Sequence, residues 1–107
     1  MAAVKPYRIL IVDDHAIVRE GLKQILAEVD DIDVAGEADC SSRALQMARQ
    51  EPWDMVLMDI SMPDRSGLET LELMKKEHPG IKVLMLSMHR ETQYAVRALK
   101  SGAAGYL

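Results

Sequence analysis

Asp13, Asp14 and Asp59 are the residues of this sequence best placed to do chemistry. Asp13 and Asp14 stand next to each other directly after the apolar run "ILIV" at positions 9–12, and Asp59 follows a second run, "MVLM". Carboxylates brought close together repel, and each raises the other's pKa. A site that gathers them therefore needs a counter-charge. Hard oxygen ligands of this kind suit Mg²⁺, which takes one or two carboxylates, a carbonyl and waters, and readily shares a phosphate. A bound divalent cation offsets the repulsion. Taken one at a time, an aspartate after a strand reads as a helix cap, and Asp13 or Asp14 suits the helix beginning near Ala16. Convergence of all three favours a site, because perturbed acid clusters concentrate where function is.

The elements around the aspartates decide whether they meet. After the first apolar run, Ile17, Val18, Leu22, Ile25, Leu26 and Val29 recur at helical spacing. "DIDVAGEA" alternates weakly, as a strand does. "SSRALQMARQ" reads as a helix with serines placed to cap it, and "SGLETLELMKKE" as a helix with Pro79 just beyond its end. "KVLML" is a third buried run, "ETQYAVRALKSG" a further helix closed by Gly102, and "AAGYL" a short last strand. Strands alternating with helices imply a parallel sheet with right-handed crossovers covering both faces. The fold class is α/β, doubly wound. The uninterrupted runs belong in the middle, while "VAGEA" and "AAGYL", weaker and richer in small residues, belong at the edges. The resulting order is 2-1-3-4-5, flavodoxin-like, and its strand order reverses between strands 1 and 3. Asp13, Asp14 and Asp59 all fall at that point.

Composition narrows the alternatives. The chain has 107 residues, 49% of them hydrophobic, which suits one domain with one core. A net charge of -4 with dispersed Lys and Arg gives no basic face for a nucleic-acid backbone. No signal-peptide pattern opens the chain, no run approaches the roughly 20 apolar residues of a membrane span, and Cys40 has no partner for an internal disulfide. The expected location is the cytoplasm. The eight methionines read as core filling. Trp53 reads as surface packing, and His15, at the edge of the acid site, as a helix-start residue rather than a metal ligand; Cys40 lies near a helix start, which can lower a thiol pKa, but without a partner cysteine it does not point to a redox role.

"VDDH", "MDISMPDRSG", "LSMH" and "GAAGYL" occur in order over the whole chain. Together they resemble the receiver domain of two-component response regulators, and in particular its NarL/FixJ (LuxR-type) transcription-regulator branch. The resemblance implies that Asp59 accepts a phosphoryl group from the histidine of a sensor kinase. It implies that Asp14 binds Mg²⁺ directly, Asp13 largely through water, and Ser61 through its backbone carbonyl. Ser87 takes the position of the hydroxyl that contacts the phosphoryl group, and Tyr106 that of the aromatic switch. Pro63 and Gly67 match the loop after the phosphoacceptor. Ser61, Met88 and His89 stand where side chains are expected to tune loss of the phosphoryl group. The domain assists its own phosphorylation and dephosphorylation and is not a turnover enzyme.

In one respect the chain departs from the pattern. The family carries a Lys two residues after the "GYL" segment and then a fifth helix, whereas this sequence stops at Leu107. The expectation is a receiver domain over residues 1–107 that lacks the fifth helix and the downstream DNA-binding domain. Such a chain would handle phosphate poorly and leave on the order of several hundred Å² of apolar surface uncovered. It would then be destabilised, or self-associate as a homodimer or by exchange of an element. Two other function classes compete. An aspartyl-nucleophile phosphohydrolase would want a second Asp two residues after the nucleophile, where Ser61 stands. A phosphate-independent interaction module would keep the fold alone.

Overall fold

The computed structural model of the protein describes residues 7–86, 100 and 102–106, Tyr106 by its backbone alone. The elements are β1 (Tyr7–Val12), α1 (Ala16–Ala27), β2 (Ile32–Ala38), α2 (Ser41–Gln50), β3 (Met55–Asp59), α3 (Gly67–Glu77), β4 (Lys82–Leu86) and β5 (Gly105–Tyr106). They form a five-stranded parallel sheet in the order β2-β1-β3-β4-β5. β1 and β3, which carry the unbroken apolar runs Ile9–Val12 and Met55–Met58, occupy the interior. β2 alternates half-buried and exposed residues along most of its length and lies at one edge, while β5, of two residues, closes the other. The register is shifted between Ile9 and Leu10, so that Leu10 pairs with Gly36. The helix anticipated between β4 and β5 falls mostly outside the described residues.

The chain crosses the sheet in one direction from β1 to β2 and in the other from β2 through β3 to β4. Right-handed crossovers then place α1 on one face and α2 with α3 on the other. The core divides accordingly. Leu10, Val12, Val56, Met58 and Met85 pack with Ala44, Leu45, Leu71 and Met74 of α2 and α3. Ile9, Ile11 and Leu57 face the opposite way, toward the half-buried Leu22 and Leu26 of α1. No residue of α1 is itself buried. The large apolar side chains that are most exposed among the described residues are Ile17 (87%) and Ile25 (66%), both on α1.

Two sequence expectations are corrected here. Trp53 is a core residue, 8% exposed, not surface packing. Its indole Nε1 donates to the Met47 carbonyl at 3.0 Å, and the Arg8 guanidinium covers its ring at 4.9 Å. The position before a strand hid this, because the covering groups come from α2 and β1. The serines of α2 do not cap it either. Cys40 is the N-cap residue without a side-chain bond, and the Ser41 and Ser42 amides are satisfied by Asp64 from a distant loop. α3 does follow the expected rule: its N-cap Ser66 accepts from the Glu69 amide, and Lys75 and Lys76 lie in its last turn, favourably placed toward the helix dipole.

Candidate functional site

β1 and β3 are adjacent and parallel, with Val12 paired to Met58. The residues that follow these two strands therefore emerge side by side at the carboxyl edge of the sheet, where strand order reverses. One oxygen from each of Asp13, Asp14 and Asp59, together with a ring nitrogen of His15, all lie within 4.8 Å of one another. Asp13 is buried, 5% exposed, with its amide donating to the Ala38 carbonyl at 3.0 Å. Asp59 ends β3, where it pairs with Leu86.

His15 lies in this cluster as well as at the start of α1, in keeping with its expected place at the edge of the acid site. It does occupy the N-cap position of α1 by its extended backbone, but makes no side-chain cap. Its amide donates to Asp13 Oδ1 at 2.8 Å, and its Nδ1 lies 3.0 Å from Asp13 Oδ1 and 3.0 Å from Asp14 Oδ1. The hydrogen bond to Asp13, followed by the Asp14 charge, raises the imidazole pKa. Neither aspartate occupies the N-cap position of α1, so the simple capping account of the pair does not describe them. Three polar residues in a row at the turn out of a buried strand were the available signal, since so tight a turn folds the third toward the first.

Burial raises the pKa of Asp59, and the Asp13 and Asp14 charges raise it further; the Ser61 amide, hydrogen-bonded to its carboxylate, and His15 pull it down. Ser61 thus meets the cluster through its N–H. Three carboxylates with oxygens this close, one of them buried and another resisting ionisation, fit a hard divalent cation such as Mg²⁺ by number and ligand type.

The loop after Asp59 is held at both ends. The Ile60 amide donates to Leu86 at 3.2 Å, and the Gly67 amide to Ile60 at 2.6 Å. Pro63 is exposed within this loop. Asp64 reaches α2, where its carboxylate accepts from the Ser41 amide at 2.9 Å, the Ser42 amide at 3.0 Å and Ser42 Oγ at 2.8 Å. These bonds, the Ser41 amide foremost, push its pKa down to about 2. Sequence reasoning missed Asp64, because nothing local links residues 41 and 64.

Ser87, Met88 and His89 lie outside the described residues. Tyr106 pairs by its backbone with Met85, and its side chain lies outside the description.

The model of the response regulator receiver domain family matches residues 9–107. Response regulator GacA of Pseudomonas viridiflava is 42% identical over 100 residues, covering 94% of this chain and 47% of GacA. Transcriptional regulatory protein MctR of Rhizobium johnstonii is 43% identical over the same proportions, 94% and 47%. The crystal structure of a LuxR-family two-component response regulator from Aurantimonas sp. SI85-9A1 superimposes with a TM-score of 0.90 at 32% identity, covering 94% of this chain and 72% of that one. The chain spans about half the length of the curated relatives it matches.

Proposed function

Since this chain belongs to the response regulator receiver domain family, we propose that Asp59 is its phosphoacceptor and that Asp13, Asp14, Asp59 and the Ser61 carbonyl hold Mg²⁺. The observation that carries this reading is the meeting of three carboxylates at the sheet's switch point, with oxygens within 4.8 Å. Asp59 is the only one of them that ends an interior strand, half-buried beside the other two.

The transfer is a displacement at phosphorus. A carboxylate oxygen of Asp59 forms the new P–O bond, the P–N bond to the kinase imidazole breaks, and the released nitrogen is the leaving group. Positioning and charge neutralisation carry catalysis, since the transferred group spreads its charge over three equatorial oxygens. Bound Mg²⁺ supplies that neutralisation and lets an anionic nucleophile meet an anionic phosphoryl group. Asp13 and Asp14 hold the cation, and the Ser61 amide orients the Asp59 carboxylate. Ser87 is the proposed hydroxyl contact to the phosphoryl group, and Tyr106 the aromatic switch that follows it. The added charge at Asp59 then alters the surface that meets partners.

The partners proposed are a sensor histidine kinase, as donor, and a second copy of the chain. The whole protein would regulate transcription, a reading supported by the name of its relative MctR, and would do so in the cytoplasm. No helix among the described residues is long and apolar enough to cross a membrane.

Incubation with Mg²⁺ and a small phosphodonor, or with beryllofluoride, tests the assignment. Wild type is expected to show a Mg²⁺-dependent acyl phosphate or spectral change, and Asp59→Asn none. Equal responses from both would reject Asp59 as acceptor.

A further inference from the structure

Arg19 stands on α1 with its side chain only 19% exposed. Its Nη1 donates to the backbone carbonyl of Asp13 at 2.6 Å, and its Nε donates to Glu37 Oε1 of β2 at 3.0 Å. The other Glu37 oxygen accepts from Lys23 Nζ at 2.9 Å. One guanidinium therefore ties the first turn of α1, the edge strand β2 and the exit from β1 together.

The atom that it grips matters more than the ion pair. A peptide unit is planar, so the carbonyl of Asp13 and the amide and Cα of Asp14 move as one rigid body. The other end of Asp13 is already anchored through its amide to Ala38. Fixing the carbonyl oxygen sets the rotation of the next peptide plane, and with it the direction in which the Asp14 side chain leaves the backbone. Without that grip the plane would answer to repulsion among the carboxylates, which drives Asp14 away from Asp13 and Asp59. We propose that Arg19, anchored by Glu37, is a positioning residue that aims the Asp14 carboxylate into the acid site. This inference rests on the reading of Asp13, Asp14 and Asp59 as the Mg²⁺ site.

The sign of the effect separates positioning from simple electrostatics. A cation near a divalent-ion site repels the ion, so loss of Arg19 for charge alone would tighten Mg²⁺ binding. Loss of positioning weakens it. Lys23→Gln provides the control, because it removes the same charge from the same carboxylate without touching Asp13.

The experiment is Mg²⁺ titration by calorimetry on wild type, Arg19→Gln, Arg19→Lys, Lys23→Gln and Asp13→Asn, with thermal unfolding of each in parallel. Arg19→Gln is expected to weaken Mg²⁺ about tenfold, the scale seen when groups supporting metal ligands are removed. Arg19→Lys is expected to recover part of the loss, and Lys23→Gln to bind as tightly as wild type or tighter. An Arg19→Gln affinity equal to that of Lys23→Gln, with only the unfolding temperature changed, would overturn the inference and leave the acid site standing. No saturable Mg²⁺ binding by wild type would overturn the acid-site reading and this inference with it. If Arg19→Gln does not fold cooperatively, Glu37→Met, which removes the Nε anchor, carries the comparison and must weaken Mg²⁺ relative to Lys23→Gln.

Discussion

Gly67 is folded back on Ile60 so closely that a side chain there has nowhere to go. Its amide donates to the Ile60 carbonyl at 2.6 Å, and a Cβ built on it would stand 2.8 Å from Ile60 Cα, with the Asp59 carbonyl closer still. The obstacle is backbone, which cannot swing aside as the end of a side chain can. Gly67 is thus required for space, and the strand end that carries Asp59 is what it makes room for. Gly67→Ala is expected to cost about 1–3 kcal/mol, as overpacking of a tight interior does. The displaced Asp59 should also bind Mg²⁺ more weakly. Urea unfolding and Mg²⁺ titration of the same variant check both parts, and a variant as stable as wild type would show that the loop yields freely.

The acid cluster predicts opposite effects on stability with and without cation. Burial first, and then the Asp13 and Asp14 charges, raise the Asp59 pKa. A carboxyl whose folded pKa lies above its unfolded value costs stability once the pH exceeds both and it must stay ionised. At neutral pH in a chelator, Asp59→Asn should therefore unfold at a higher urea concentration than wild type. Mg²⁺ should reverse the order: a ligand at a hundred times its Kd stabilises by about 2.7 kcal/mol, and the variant should gain little of this. A chelated variant less stable than wild type would contradict the repulsion.

Asp64 acts in the other direction. Its pKa is lowered from 3.8 to about 2 by the amides of Ser41 and Ser42 and the Ser42 hydroxyl. A depressed carboxyl pKa contributes stability that is fully present above the unfolded value and is lost as pH falls through the folded one. The window here runs from 3.8 down to about 2. Asp64→Asn should be less stable than wild type at neutral pH, and the difference should shrink through that window. Glu37 and Glu77, also depressed, contribute acid sensitivity of their own, so the test is the difference between the two proteins and not either curve alone. A constant difference down to pH 2 would deny the carboxylate its charge-dependent role.

These residues also show what the sequence made legible. The unbroken runs before Asp13 and Asp59 declare strands buried on both faces and so place them in the middle of the sheet, where β1 and β3 do lie side by side. The weak alternation of "VAGEA" likewise marks an edge. Asp13, Asp14 and Asp59 could therefore be brought together before any coordinates. Arg19 and Asp64 could not be assigned, because each acts through a geometry that spacing does not encode. Arg19 is one of several cations on the helices, and the fold brings Glu37 of β2 within 3.0 Å of it. Trp53 fails for a similar reason: its cover is supplied by Arg8 and Met47, neither of them predictable from its own neighbours.

The last prediction concerns the contact by which α2 rests on α3. Ser41 and Thr70 are 1% and 0% exposed, and their hydroxyl oxygens lie 2.6 Å apart. Thr70 Oγ1 donates to the Ser66 carbonyl at 2.9 Å. A hydroxyl has one hydrogen, so Thr70 accepts within the pair and Ser41 donates. The two substitutions are consequently unequal. Thr70→Val leaves the buried Ser41 donor without its partner and is expected to cost about 1–3 kcal/mol, the penalty of an unsatisfied buried group. Ser41→Ala leaves Thr70 still bonded to Ser66 and should cost less. The double variant should cost less than the sum of the two, with a coupling of about 0.5–3 kcal/mol expected for residues in one hydrogen-bond network. A double-mutant cycle in urea measures all of this. A larger loss from Ser41→Ala would place the donor on the other hydroxyl, and additive losses would deny the coupling between the two.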